Sequence, residues 1–300
     1  MQMPTPENKK KYSKMDPLAH VLHRPEIYVG STVNKNSKEY ISSPENKFHI
    51  TEKEISFSPA ILRIFIEPLS NAIDNVARSL KTKTPCKVIK VNINKETGET
   101  SVWNDGDVIP VEIDETEKCY NHSLIFGQLL TSSNYDDKEE RYNISGRNGL
   151  GGKLTCIFST YFKVTGADPD NKKMLVQEWK NNMKTTKEPT ITPYKNKTGF
   201  TEVVWIPDFK QFNIKGYTQD IIDLYCKYVV DTAMLTGVSV YYNDILVPVN
   251  SLKEYSKLYD DINDFDGDGE EPMDSIIIED EAEQSKDDET SSVKSKKEKN

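Results

Sequence analysis

An α/β fold is what this 300-residue sequence predicts, and three observations predict it. Residues 60–80, AILRIFIEPLSNAIDNVARSL, repeat apolar side chains at helical spacing over about six turns. Residues 88–94 and 100–104 alternate apolar and polar side chains on either side of Thr97-Gly98, the pattern of two half-buried strands joined by a turn. Beyond them, strand patterns at residues 163–164, 174–179 and 201–206 precede a helical pattern over residues 221–236. No internal repeat interrupts the series.

Taken in order, residues 1–11 are polar and lysine-rich and read as a flexible arm. Asp16-Pro17 starts a short helix, the aspartate capping and the proline at the first helical position, and Arg24-Pro25 ends it. Tyr28-Val29-Gly30-Ser31 reads as a turn, and residues 32–58 as short strands. In the long helix, Glu67, Asn71, Asp74 and Arg78 share one face with Asn75 beside them. Leu62, Phe65, Leu69, Ile73 and Val76 form a separate apolar stripe. Pro68 interrupts the interior, removing one backbone bond at a cost of about 3 kcal/mol, so either the helix kinks there or the site tolerates it. Trp103-Asn104-Asp105-Gly106 closes the second strand in a turn, and residues 123–130 read as helical. Residues 131–145 have the polar composition of a lid, residues 154–159 a helical one, and residues 238–249 read as a hairpin turning at Asn243-Asp244.

Composition narrows the function. An apolar content of 36% with fifteen tyrosines can supply a core. Cys86, Cys119, Cys156 and Cys226 lack zinc-ligand or redox spacing and read as buried thiols of a reducing compartment. His20, His23, His49 and His122 lack ligand spacing too. No apolar run approaches the roughly 20 residues of a membrane span, and Met1 is followed by polar residues, so an intracellular protein without a membrane partner is expected. The net charge of −9 is uneven: residues 260–300 hold 16 acidic residues against 5 lysines. Residues 12–259 therefore read as one near-neutral domain, and residues 260–300 as an acidic, disordered tail or linker. Within that tail, Asp264-Phe265-Asp266-Gly267-Asp268-Gly269 has a cation-loop look, but Ser275 stands where an EF-hand needs glutamate.

The chemistry is concentrated in Gly146-Arg147-Asn148-Gly149-Leu150-Gly151-Gly152-Lys153. Four glycines ahead of a helix make a phosphate cradle, because glycine lets backbone N–H groups approach an anion. It is not a Walker A loop, since Arg147 and Leu154 occupy positions that motif reserves for glycine and Ser or Thr. No strand precedes it in a βαβ unit, which argues against a dinucleotide fold.

In order along the chain stand HVLHRPEIYVGS (20–31), EPLSNAIDN (67–75), WNDGDVIP (103–110), LIFGQLLTSSNYDD (124–137), GRNGLGGKL (146–154), IFST (157–160) and Gly199-Phe200-Thr201. This series resembles the GHKL ATP-binding fold, and most closely the ATPase domain of the type IIA DNA topoisomerases of eukaryotes and large viruses. The resemblance implies a two-layer arrangement, helices over one face of a mixed sheet, with ATP and Mg²⁺ held between the long helix and the lid. It also implies roles. Glu67 is the general base toward the attacking water, and Asn71 is a Mg²⁺ ligand beside Asn75 in the nucleotide site. Asn104 reads the adenine amino group, and Thr201 lines the adenine pocket. Ser132, Ser133 and Asn134 contact ribose and phosphates. Gly146, Arg147, Asn148, Gly149, Leu150, Gly151, Gly152 and Lys153 wrap the triphosphate. Tyr12 belongs to an arm that crosses to the partner's site, so that ATP closes a homodimer that captures double-stranded DNA in the full enzyme. Location follows as nucleus for a eukaryotic protein, and host cytoplasm or virion for a viral one.

Three positions depart from the family pattern: Pro68 follows the base, Val108 replaces the second glycine of the N-x-G-x-G turn, and Leu150 replaces a lid tyrosine. The family's transducer lysine and DNA-cleaving tyrosine lie on segments this sequence does not contain. Two alternatives follow: a nucleotide-gated dimerisation module with little turnover, or another GHKL ATPase such as a MutL-like protein. The Ser-Ser-Asn-Tyr lid argues against the latter.

Overall fold

The computed structural model describes residues 15–128 and 151–259. The flexible-arm, lid and acidic-tail readings fall on residues 1–14, 129–150 and 260–300, outside the described residues.

The chain opens with two short helices, α1 (Pro17–His23) and α2 (Pro25–Tyr28). Asp16 caps α1 as expected, its carboxylate accepting from the Ala19 N–H. The expected turn at residues 28–31 is preceded by the single turn of α2, because Pro25 sits at a helix start where its missing N–H costs nothing. Strands β1 (Lys35–Ser42) and β2 (Ile50–Phe57) form a separate antiparallel hairpin. The long helix α3 (Pro59–Ser79) follows, capped by Ser58. Next come β3 (Val88–Ile93), β4 (Thr100–Asp105), α4 (Asn121–Gly127) and α5 (Gly151–Ile157). The remainder is β5 (Ser159–Asp168), β6 (Lys173–Lys180), β7 (Thr185–Thr186), β8 (Thr190–Pro193), β9 (Phe200–Pro207), α6 (Gln219–Thr236), β10 (Ser239–Tyr242), β11 (Ile245–Leu246) and α7 (Leu252–Ser256).

Nine strands make one sheet in the order β11-β10-β3-β4-β9-β5-β6-β7, with β8 also on β6. Its pairings are antiparallel except β10 with β3, so the sheet is mixed, as the sequence predicts. Asn243 and Asp244 both take positive φ, the requirement of the tight turn from β10 to β11. One face of the sheet presents Ile89, Val91, Val102, Val203, Trp205, Phe162 and Val164, all buried, and α3 and α6 pack over it. Phe65 of α3 lies parallel to the Tyr225 ring of α6 at 3.9 Å, and the Tyr225 hydroxyl donates to the Ile61 carbonyl at 2.7 Å. The opposite face carries Lys90, Trp103, Glu202 and Lys163, with the Lys90 ammonium over the Trp103 ring. Burial on one face and polar side chains on the other is the period-2 rule of a sheet covered on one side.

The expected apolar stripe of α3 packs against the core but is only part of the helix's buried surface. Phe65 and Leu69 are buried, but Leu62, Ile73 and Val76 are half-buried. The core line runs through Ile61, Ile64, Phe65, Pro68, Leu69 and Ala72. The helix meets the sheet on one side and α6 on another, so its buried arc is wider than a single stripe. Three of the four thiols are buried and Cys119 is half-buried; all are unpaired, and burial raises each above its ordinary range.

His122 in α4 is fully buried, and neither ring nitrogen has a hydrogen-bond partner among the described residues. Its Nε2 stands 2.0 Å from where a Cβ on Gly166 would be, so the imidazole takes the space a side chain at 166 would need. Burial lowers its pKa from 6.5 to about 4, with Asp168 pulling weakly the other way. The unfolded chain therefore binds a proton between pH 6.5 and 4 that the folded chain refuses. Stability from this group is complete above pH 6.5 and is lost as pH falls through that window, by up to about 3 kcal/mol. Urea midpoints at about pH 7.5 and about pH 4.5 should show the drop, and His122→Leu should flatten it; an equal acid loss in the variant would assign it elsewhere.

Candidate nucleotide site

The site is built from α3 upward. Glu67 is half-buried at the middle of the helix and pairs with the exposed Arg63 guanidinium one turn earlier. Burial pushes the Glu67 carboxyl above its ordinary value, and Arg63 pulls it partly back. A carboxyl so placed is a better proton acceptor than an exposed one. Asn71, one turn further, is exposed. Asn75 turns inward and is buried, its amide nitrogen donating 3.0 Å to the Asp105 carbonyl.

The start of α5 comes directly against this face. A Cβ on Gly151 would lie 1.9 Å from Glu67 Oε2, and one on Gly152 would lie 3.7 Å from Asn71 Nδ2 and 3.1 Å from the Phe126 ring. Gly151 thus comes up against the end of the flexible Glu67 side chain, and Gly152 mainly against the Phe126 ring, so the start of α5 approaches both α3 and α4 closely. Lys153 follows and is 1% exposed, and burial lowers its pKa from 10.5 to about 8. A phosphate brought beside that ammonium would restore the charge that burial disfavours.

The second half of the site lies at the end of β4. Asn104 is buried and its amide nitrogen donates 2.8 Å to the Asp105 carbonyl, leaving its oxygen as an acceptor. Asn75 uses the same carbonyl, so α3 and β4 are tied at one point. The Asp105 carboxylate accepts from the Lys87 and Val88 N–H groups at 2.7 and 2.9 Å and holds the turn against β3. Gly106 has φ +98°, and a Cβ there would strike Cys86, so only glycine fits. In the sheet Asn104 pairs with Thr201, and Thr201 with Gly166. These three form a row facing α3 and α4, beginning at the acceptor oxygen and ending under His122.

The departure at Val108 has a local answer. Its side chain occupies the space that a Cβ on Gly199 would need, with 2.7 Å between that position and Val108 Cγ1. The same position is closed by the Ala167 carbonyl at 2.8 Å and Pro169 at 2.9 Å, so glycine at 199, just before Phe200 and Thr201, accommodates all three. The departure at Pro68 does not interrupt α3, which stays helical from Pro59 to Ser79 with the proline inside it.

The structure thus brings together Glu67, Asn71, Gly151, Gly152 and Lys153 on one side, and Asn75, Asn104 and Thr201 on another. Tyr12, Ser132, Ser133, Asn134, Gly146, Arg147, Asn148, Gly149 and Leu150 lie outside the described residues. Sequence reasoning missed Arg63, whose i, i+4 spacing to Glu67 was the available signal. It also missed the burial of His122, for which no sequence signal exists.

No family model matches the chain. Comparison with known proteins nevertheless finds "DNA topoisomerase 2" of Invertebrate iridescent virus 6, 46% identical over 86% of this chain. The DNA topoisomerase 2 of Saccharomyces cerevisiae is 39% identical over 83% of it. The chain spans 23% and 17% of those two proteins. Among solved structures, the ATPase region of Saccharomyces cerevisiae topoisomerase II superposes with a TM-score of 0.78 at 38% identity, covering 83% of this chain and 65% of that one. The ATPase and transducer domains of topoisomerase II from Balamuthia mandrillaris give 0.78 at 35% identity, covering 86% and 65%. Sequence and fold agree that this chain belongs with the ATPase regions of the type II DNA topoisomerases.

Proposed function

We propose that the chain binds ATP with Mg²⁺ and hydrolyses it, as the clamp-closing part of a type II DNA topoisomerase. The observation that carries this reading is the seating of Gly151 and Gly152 against Glu67 and Asn71. It places a carboxylate of raised pKa beside the helix start that bears Lys153. Adenine lies over the Asn104–Thr201 row, where the Asn104 oxygen accepts from the base's amino group. Glu67 orients the attacking water and takes its proton, while Lys153 neutralises phosphate charge. Among the described residues no cluster of three or more His, Cys, Asp or Glu could hold a metal alone. Asn71 would hold Mg²⁺ through its neutral amide oxygen, and the ion would supply charge neutralisation to the phosphates.

In this reading, ATP closes two copies through the N-terminal arm bearing Tyr12, and double-stranded DNA is captured by the longer enzyme. Among the described residues no helix is long and apolar enough to cross a membrane. The experiment is sedimentation and steady-state turnover of the chain with Mg²⁺ and either ATP or a non-hydrolysable analogue. The analogue should convert monomer to dimer, and ATP should be turned over slowly. Dimerisation without turnover would leave a nucleotide-gated module. Absence of any nucleotide binding would overturn the proposal.

A further inference from the structure

Proline at 68 leaves one backbone acceptor in α3 without its usual donor. Lacking an N–H, it cannot donate to the carbonyl of Ile64, four residues earlier and in the buried part of the helix. That carbonyl is nevertheless bonded: the Thr155 hydroxyl of α5 donates to it at 2.9 Å, and Thr155 is fully buried. The side chain of one helix thus fills the backbone vacancy of the other. The bond falls one turn before Glu67 on α3 and two residues after Lys153 on α5. It lies close behind the place where Gly151 rests on the Glu67 carboxylate.

We propose that Thr155 is a positioning residue for ATP hydrolysis, fixing α5 on α3 so that the glycine-rich start of α5 and Lys153 hold their register against Glu67. This rests on the ATPase reading above. A helix pair joined by packing alone can slide by a fraction of a turn, whereas a hydroxyl bonded to an otherwise unsatisfied buried carbonyl has one productive position. The arrangement makes the roles of residues 68 and 155 interdependent. With an N–H at 68 the Ile64 carbonyl would bond within its own helix, and the hydroxyl would no longer be needed.

The test is a double-mutant cycle read in ATP turnover at a temperature where each variant is shown to be folded. Thr155→Val should lower kcat about tenfold, and Thr155→Ser, which keeps the hydroxyl, should return it to within about twofold of wild type. In a Pro68→Ala background the further change Thr155→Val should cost less than about threefold. Melting temperatures of the same set give a readout independent of turnover: the loss from Thr155→Val should be large with Pro68 in place and small once Pro68→Ala has restored the N–H. Wild-type kcat in folded Thr155→Val, or an equal loss in the Pro68→Ala background, overturns the assignment while leaving the ATPase reading standing. A wild-type chain that binds nucleotide but never hydrolyses it overturns both.

Discussion

Replacing Glu67 with Gln is expected to leave nucleotide-driven dimerisation intact and to lower kcat by about two orders of magnitude or more. The amide keeps the shape of the side chain but cannot accept the proton of the attacking water, and a positioned general base contributes on the order of 10² to 10⁴ in rate. The cost in stability should be small, since the pair being lost joins Glu67 to an exposed arginine. A pH–rate profile adds a second check. Burial holds the Glu67 carboxyl above its ordinary value, so wild-type turnover should decline at a higher pH than an exposed carboxylate would give. That acid limb should vanish from the residual rate of the Gln variant. Turnover within a few-fold of wild type would remove Glu67 from the role of base.

The second large effect is expected from Gly151→Ala, for a reason that separates folding from catalysis. The backbone of Gly151 is not in the left-handed region, so alanine fits its conformation and should even favour the helix start. What alanine meets is Glu67 Oε2, 1.9 Å from the added carbon. That atom is the end of a flexible side chain, so the carboxylate gives way while both helices keep their places. A displacement of about 1 Å in a reacting group can cost on the order of a hundredfold in rate. The variant should therefore melt within a few degrees of wild type, retain most of its analogue affinity and lose about a hundredfold in kcat. Full activity in this variant would show that Glu67 need not approach the helix start for hydrolysis.

Much of the fold was legible because its signals are local. The Asp16 cap, the long α3, the β3–β4 pair and the tight Asn243-Asp244 turn each depend on residues within one turn or one strand. Legibility ended where packing chose among equivalent local options. The buried arc of α3 differs from the expected stripe because the sheet and α6 together decide which residues are covered. Pro68 marked a missing hydrogen bond in sequence, but nothing around it could show that the hydroxyl of Thr155, far along the chain, satisfies the stranded carbonyl. The same holds for Val108 with Gly199 and for His122 with Gly166, pairs far apart in sequence and adjacent in space.

By itself, then, the sequence determined the class of fold and the family, because motif spacing and periodicity are properties of short segments. Only the tertiary structure decided that Gly151 meets Glu67 and Gly152 meets Phe126, that Asn75 and Asn104 share one carbonyl, and that Thr155 completes α3. Those facts are contacts between segments, and whether a side chain fits, strikes or satisfies another is fixed only when the helices and sheet have closed on one another.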